Sequence, residues 1–174
     1  MGISTTLAAL YEHNLWANRI VVEECAKMSD EQLDSTMPGI YGSIRDTLKH
    51  IFGAEERYVA RLRNEPRPAL SREREAFTGF DDLRSACDSS GQALVEIAEQ
   101  ATTDDILRGI QRDGKHYEMP ATVVLIQAIN HATEHRSQIN TMRTHLGLEP
   151  LDLDGWAYGS AHGQISLQPA PGTT

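Results

Sequence analysis

The stretch NHATEHRSQI, residues 130–139, sets His131 and His135 four apart with Glu134 between them. On a helix, positions i and i+4 project from one face, a rise of roughly 6 Å apart. Two imidazoles held that way can share one divalent ion, which is why helical metal sites use this spacing. The pattern also has a plain reading, as two core histidines with ordinary hydrogen bonds. Burying both neutral rings leaves four ring nitrogens to satisfy, at about 1–3 kcal/mol for each one missed. An ion would satisfy two of them. On the pattern alone, both readings stand. Glu134 lies about 100° around the helix from His135. It is a candidate base or acceptor for a ring N–H, set against the ordinary role of a solvated surface glutamate.

The helix around this motif explains why the rings would face inward. Val124, Ala128, His131, His135, Ile139, Met142 and Leu146 recur mostly at steps of three and four, the seam of a bundle helix. Pro120 suits its first turn, and Gly147 followed by Pro150 marks its end. A third ligand must come from elsewhere. His145 points to another side and suits the negative end of the helix dipole. His116 and His162 are expected to be exposed. His13 and His50 sit within other helices, and His50, in TLKHIFGAEERY, lies slightly off the centre of its apolar stripe.

Three further helices are expected. The first spans 4–28, with Leu7, Leu10, Tyr11, Leu15, Ile20, Val22 and Cys25 inward. The second opens at Ser43, which with Asp46 resembles a capping box, and ends near Asn64. Its stripe is Ile44, Leu48, Ile51, Tyr58, Val59 and Leu62. The third spans 81–101, with Phe80, Leu83, Cys87, Leu94 and Ile97 inward, although Gly91 costs it about 1 kcal/mol. Residues 30–38 read as a polar connection, and 65–77 (EPRPALSREREAF) as an exposed connector. Asp113-Gly114, with alternation at Leu107, Ile110 and Tyr117, predicts a small β-hairpin before the last long helix. The expected fold is all-α, an up-down-type four-helix bundle over residues 1–150. A C-terminal segment, 151–174, follows. In it Trp156 and Tyr158 pack and the last eight or so residues fray.

Composition narrows the partners. The chain has 174 residues, with 16 basic and 25 acidic side chains and a net charge of −9. No basic cluster offsets that charge, which argues against nucleic acid and anionic lipid. No apolar run is long enough to span a membrane, and the N-terminal residues carry no signal-peptide pattern, so the cytoplasm is the expected location. Cys25 and Cys87 are read as free buried thiols.

Three motifs, in order, resemble those of the DinB-like (damage-inducible protein) family of metal-binding four-helix bundles. They are LWAN at 15–18, LKHIFGAEERY at 48–58, and HATEH followed by RSQI. The resemblance covers about residues 5–150. It implies a metal triad of His50, His131 and His135, holding zinc, nickel or a similar divalent ion. It also implies homodimers and, from characterised relatives, thiol-dependent transferases and isomerases that use low-molecular-weight thiols as co-substrates. The resulting expectation is a divalent-metal-dependent enzyme, a thiol S-transferase or hydrolase acting on a small molecule, with Glu134 as a catalytic candidate. Its alternative is a non-catalytic metal-binding or stress-response interaction bundle. Tyr11, Trp16 and Tyr58 either line a pocket or fill the core. HATEH also spells the inverted zinc-protease motif, with Glu134 as general base, but a chain this short fits such a protease poorly.

Overall fold

Each apolar stripe becomes a helix because three others are available to bury it against. The computed structural model describes residues 3–68, 71–102, 105–110 and 113–166. In chain order the elements are α1 (Ile3–Cys25), α2 (Asp30–Leu33), α3 (Ile44–Leu62), α4 (Phe80–Gln100), β1 (Ile106–Ile110), β2 (His116–Pro120), α5 (Ala121–His145) and α6 (Gly155–Ala161). The four long helices form an all-α bundle, and β1 and β2 form the antiparallel hairpin ahead of α5. No helix among the described residues is long and apolar enough to cross a membrane.

Side-chain pairs fix the helix directions. Arg19 bonds Asp88 and Arg84 bonds Glu23, so α1 and α4 run antiparallel. Glu55 meets Ser90 and Arg63 meets Glu96, so α3 and α4 run parallel. Tyr11 bonds the Leu125 carbonyl and Asn18 meets Arg136, so α1 and α5 run parallel. The chain therefore goes up, down, down, up. The parallel step from α3 to α4 needs a connection that travels back along the bundle, and residues 63–79 provide it.

That connection is exposed over residues 65–68 and 74–76, as its composition suggests, but residues 71–73 and 77 are half-buried. It contains a 3₁₀ turn, Arg72–Arg74. Arg72 bonds Glu56 and Asp82, Glu73 bonds Arg57, and the Lys49 ammonium donates to the Glu75 carbonyl. Partners on α3 and α4 thus pull charged residues inward, which the local sequence cannot show. Residues 30–38 also differ from expectation. They include α2, whose Ser29 and Gln32 form a complete capping box. Ser43 caps α3 by accepting from the Asp46 amide, but the box is not completed, because the Asp46 carboxylate accepts from the Ser43 hydroxyl.

Several side chains depart from the predicted stripes. Leu10 is 51% exposed on α1, while Asn14 and Asn18 are buried there. Ile110 faces solvent on the hairpin, whose inward positions are Leu107, Gly109, Tyr117 and Met119. Trp156 does not pack and is exposed. The Asp154 side chain caps α6 at the amides of residues 156 and 157, and that start turns Tyr158, not Trp156, toward α1. There Tyr158 packs on His13 and Trp16. The final eight residues lie outside the described ones.

The core is two apolar clusters with a polar layer between them. In α3 the order is Phe52, Glu55, Val59, and in α4 it is Cys87, Ser90, Ala93. Gly91 belongs to this middle region. A Cβ built there would stand 2.5 Å from Leu15 Cδ1 and 3.2 Å from its Cγ, so the glycine lets α4 approach α1. Alanine at 91 would gain about 1 kcal/mol of helix propensity. It would lose about 1–3 kcal/mol to overpacking around a buried leucine. The expected balance is a net loss of roughly 1 kcal/mol. A Gly91→Ala variant with a raised urea midpoint would show that α1 and α4 have room to spare.

Candidate metal centre

Three imidazoles meet between α3 and α5. His50 comes from α3, and His131 and His135 from adjacent turns of α5. One ligand nitrogen from each ring lies within 4.8 Å of the other two. The His50 and His131 Nε2 atoms are 2.9 Å apart, and the ring centroids are 4.4–4.7 Å from one another. Antiparallel packing of α3 on α5 makes this possible, because it brings the first half of α3 against the middle of α5. His135 is 7% exposed, and His50 and His131 are half-buried.

The outer nitrogens are held by oxygen acceptors. His50 Nδ1 lies 2.9 Å from Glu73 Oε1, and His135 Nδ1 lies 2.9 Å from Gln138 Oε1. Both contacts favour the Nδ1–H tautomer, leaving Nε2 as the nitrogen each ring can offer a ligand. His131 Nδ1 is buried with no hydrogen-bond partner among the described residues. Such an orphan costs about 1–3 kcal/mol. A fold that accepts this cost to bring two Nε2 atoms face to face has the donor set for a shared cation. Nitrogens about 2.0–2.1 Å from one ion can sit at the separation seen here. The residues therefore fit a divalent metal.

Electrostatics keeps His131 and His50 in the form that binds metal. Burial pushes His131 down to about 4, and the neighbouring His135 and His50 push in the same direction. Burial also lowers His50, partly opposed by Glu73. His131 and His50 are therefore neutral imidazoles at neutral pH.

Tyr41 and Tyr58 flank the rings. Tyr41 stacks on His50, with centroids 3.8 Å apart and planes 16° from parallel. Tyr58 stands edge-on to His131 at 5.8 Å. Arg57 donates to Glu73 Oε1 at 2.6 Å, completing a His50–Glu73–Arg57 relay. Sequence reasoning missed Glu73, Gln138, Tyr41 and Arg57. Only Gln138 carried a local signal, its position one turn past His135. The sequence candidate Glu134 is not brought to the rings, and its side chain is exposed. His116 and His162 are exposed as expected, His145 is exposed on another side of α5, and His13 bonds the Leu153 carbonyl. Tyr11 fills the core and Trp16 packs against α6. Cys25 and Cys87 are buried free thiols. Burial raises both, Cys25 to about 12, which removes the thiolate a nucleophile needs.

Glu73 should matter to metal affinity. Carboxylates that orient a ligating histidine are worth about 10–100-fold. Glu73→Ala is expected to weaken zinc binding by that factor in competition with a chelating dye. Affinity equal to the parent's would show that the contact orients nothing.

The comparisons with known proteins agree with this architecture. The model of the DinB family matches residues 1–168. A solved structure of a DinB-like protein from Bacillus cereus ATCC 10987 has a TM-score of 0.62. The match covers 84% of this chain and 94% of that chain at 16% identity, a likeness that speaks for the fold alone. A search of curated proteins found no match.

Proposed function

This chain belongs to the DinB family, and on that premise we propose that it is a divalent-metal-dependent enzyme acting on a small molecule in the cytoplasm. The reaction is transfer of a low-molecular-weight thiol or hydrolysis. The observation that carries the reading is the inward-facing pair of Nε2 atoms on His50 and His131, with His135 beside them. Zinc or nickel suits three imidazole ligands.

The donor set favours chemistry over a structural role. Closed structural zinc sites use four protein ligands, whereas catalytic ones use three. Among the described residues no fourth His, Cys, Asp or Glu joins the cluster. When bound, the ion supplies the positive charge that lets a coordinated thiol or water ionise near neutral pH. The protein's own residues do the rest. Glu73 and Gln138 hold the His50 and His135 rings in one tautomer and one orientation. Tyr41 and Tyr58 shield the rings from solvent and wall the space beside them. A homodimer is part of this reading. Leu10 on α1, with Val123 and Ile126 on the neighbouring α5, is exposed apolar surface that could serve it.

The test is an assay of zinc- and nickel-loaded protein for thiol addition to small electrophiles and for hydrolysis of small esters and amides. Metal-free protein and His131→Ala serve as controls. Turnover is expected only in the loaded parent protein. Turnover that is indifferent to metal and to His131 would overturn the reading.

A further inference from the structure

A cleft of about 680 Å³ opens between the second half of α3 and the β-hairpin, within the usual size for small-molecule sites. Among the described residues, Arg57, Arg61 and Arg67 line it against a single carboxylate, Glu65, in a chain whose net charge is −9. Its aromatic walls are Tyr58 from α3 and Tyr117 from β2. Two of these residues also adjoin the histidines. Tyr58 stands edge-on to His131, and Arg57 bonds the carboxylate that holds His50.

Arg61 is differently placed from Arg57. Arg57 is committed to Glu73, whereas Arg61 is exposed and pairs with no carboxylate among the described residues. Its guanidinium lies over the Tyr117 ring, 5.1 Å from the centroid. That ring lies across Gly109 of the opposite strand, where any Cβ would collide with the phenol. The hairpin is therefore built to present Tyr117 beneath Arg61. A guanidinium stacked on an aromatic face keeps its edge for bidentate contact with a carboxylate.

We propose that this cleft seats a carboxylate-bearing small molecule. Its anionic end is held by Arg61, its apolar body lies between Tyr58 and Tyr117, and its reacting end points toward the histidines. The inference rests on the metal-enzyme reading above, of which it names the substrate class. A single carboxylate is favoured over a phosphate dianion. The C-terminal end of α3 adds partial negative charge beside Arg61, and Glu65 adds a full one.

The test titrates zinc-loaded and metal-free protein, followed by NMR, with three probes: 3-phenylpropionate, its neutral amide and inorganic phosphate. The acid is expected to shift Arg61 and Tyr117 signals saturably. The amide and phosphate should bind at least about tenfold more weakly, the factor that one charge-assisted contact supplies. Arg61→Gln should weaken the acid by the same factor while keeping zinc uptake. Arg63→Gln, whose parent side chain pairs with Glu96 instead, should leave binding of the acid unchanged. Equal affinity for acid and amide, tighter phosphate binding, or indifference to Arg61→Gln would each overturn the proposal. Zinc uptake without binding of the acid sinks the cleft and spares the metal reading. Acid binding at Arg61 in a protein that takes up no zinc does the reverse.

Discussion

Glu55→Ala is expected to lower the unfolding free energy by about 3–5 kcal/mol, the cost of stranding half of a buried charge pair. Glu55 is fully buried at the centre of the bundle. Its Oε1 accepts from Asn14 Nδ2 at 3.0 Å and Asn18 Nδ2 at 2.8 Å, and its Oε2 lies 2.7 Å from Ser90 Oγ. The two asparagine carbonyls accept from Arg136 Nη1 at 2.7 and 2.6 Å. One side chain or more from each long helix thus meets in a single network, with charge at its two ends and amides between. Burial raises Glu55, opposed by these hydrogen bonds and by Arg136. It lowers Arg136 to about 10, which still leaves the guanidinium charged at neutral pH.

Removing Glu55 leaves that cation buried with only neutral acceptors. Replacing both ends with apolar residues of similar volume, as in Glu55→Leu with Arg136→Met, is expected to recover most of the loss, because such pairs are often neutral against hydrophobic isosteres. Urea unfolding of the parent, both single variants and the double variant measures the coupling. A Glu55→Ala loss below about 1 kcal/mol would place the network among surface-like contacts and contradict this account.

His131→Ala should abolish metal binding, from about one ion per chain to almost none, while leaving helical content intact. Two properties separate those effects. His131 faces both partner rings, and a three-ligand site that loses one member keeps two nitrogens, too few for a tight site with protein ligands alone. The same ring is only half-buried and its Nδ1 has no partner, so its removal deletes an unsatisfied group along with its packing. Metal content by elemental analysis of tag-free protein, alongside circular dichroism, reads both. Full stoichiometry in His131→Ala would mean that the ion sits elsewhere.

The α5 half of the site was legible in the sequence because a helical period fixes which residues share a face. His131 and His135 fall on the seam by counting alone. His50 was harder, since no period on one helix reports the register of its neighbour, and family resemblance supplied it. Glu73 was hidden for a physical reason. A run such as SREREAF reads as solvated charge, and only the pairing of Arg72 and Glu73 with α3 and α4 draws it inward. Glu55 and Arg136 were hidden in the same way. Buried charges contradict the apolar pattern, and their justification lies on three other helices. Among the elements, the strongly periodic helices and the Asp113-Gly114 hairpin could be read in advance. The short α2 and α6 could not, because each rests on one cap and a few tertiary contacts.

Three histidines from two helices are expected to hold one ion between them. Anomalous diffraction from zinc-loaded crystals, collected at the metal's absorption edge, tests it directly. A single strong peak is expected within bonding distance, about 2.0–2.1 Å, of one nitrogen each from His50, His131 and His135. No peak there, or a peak only at other histidines such as His13 or His162, would contradict it.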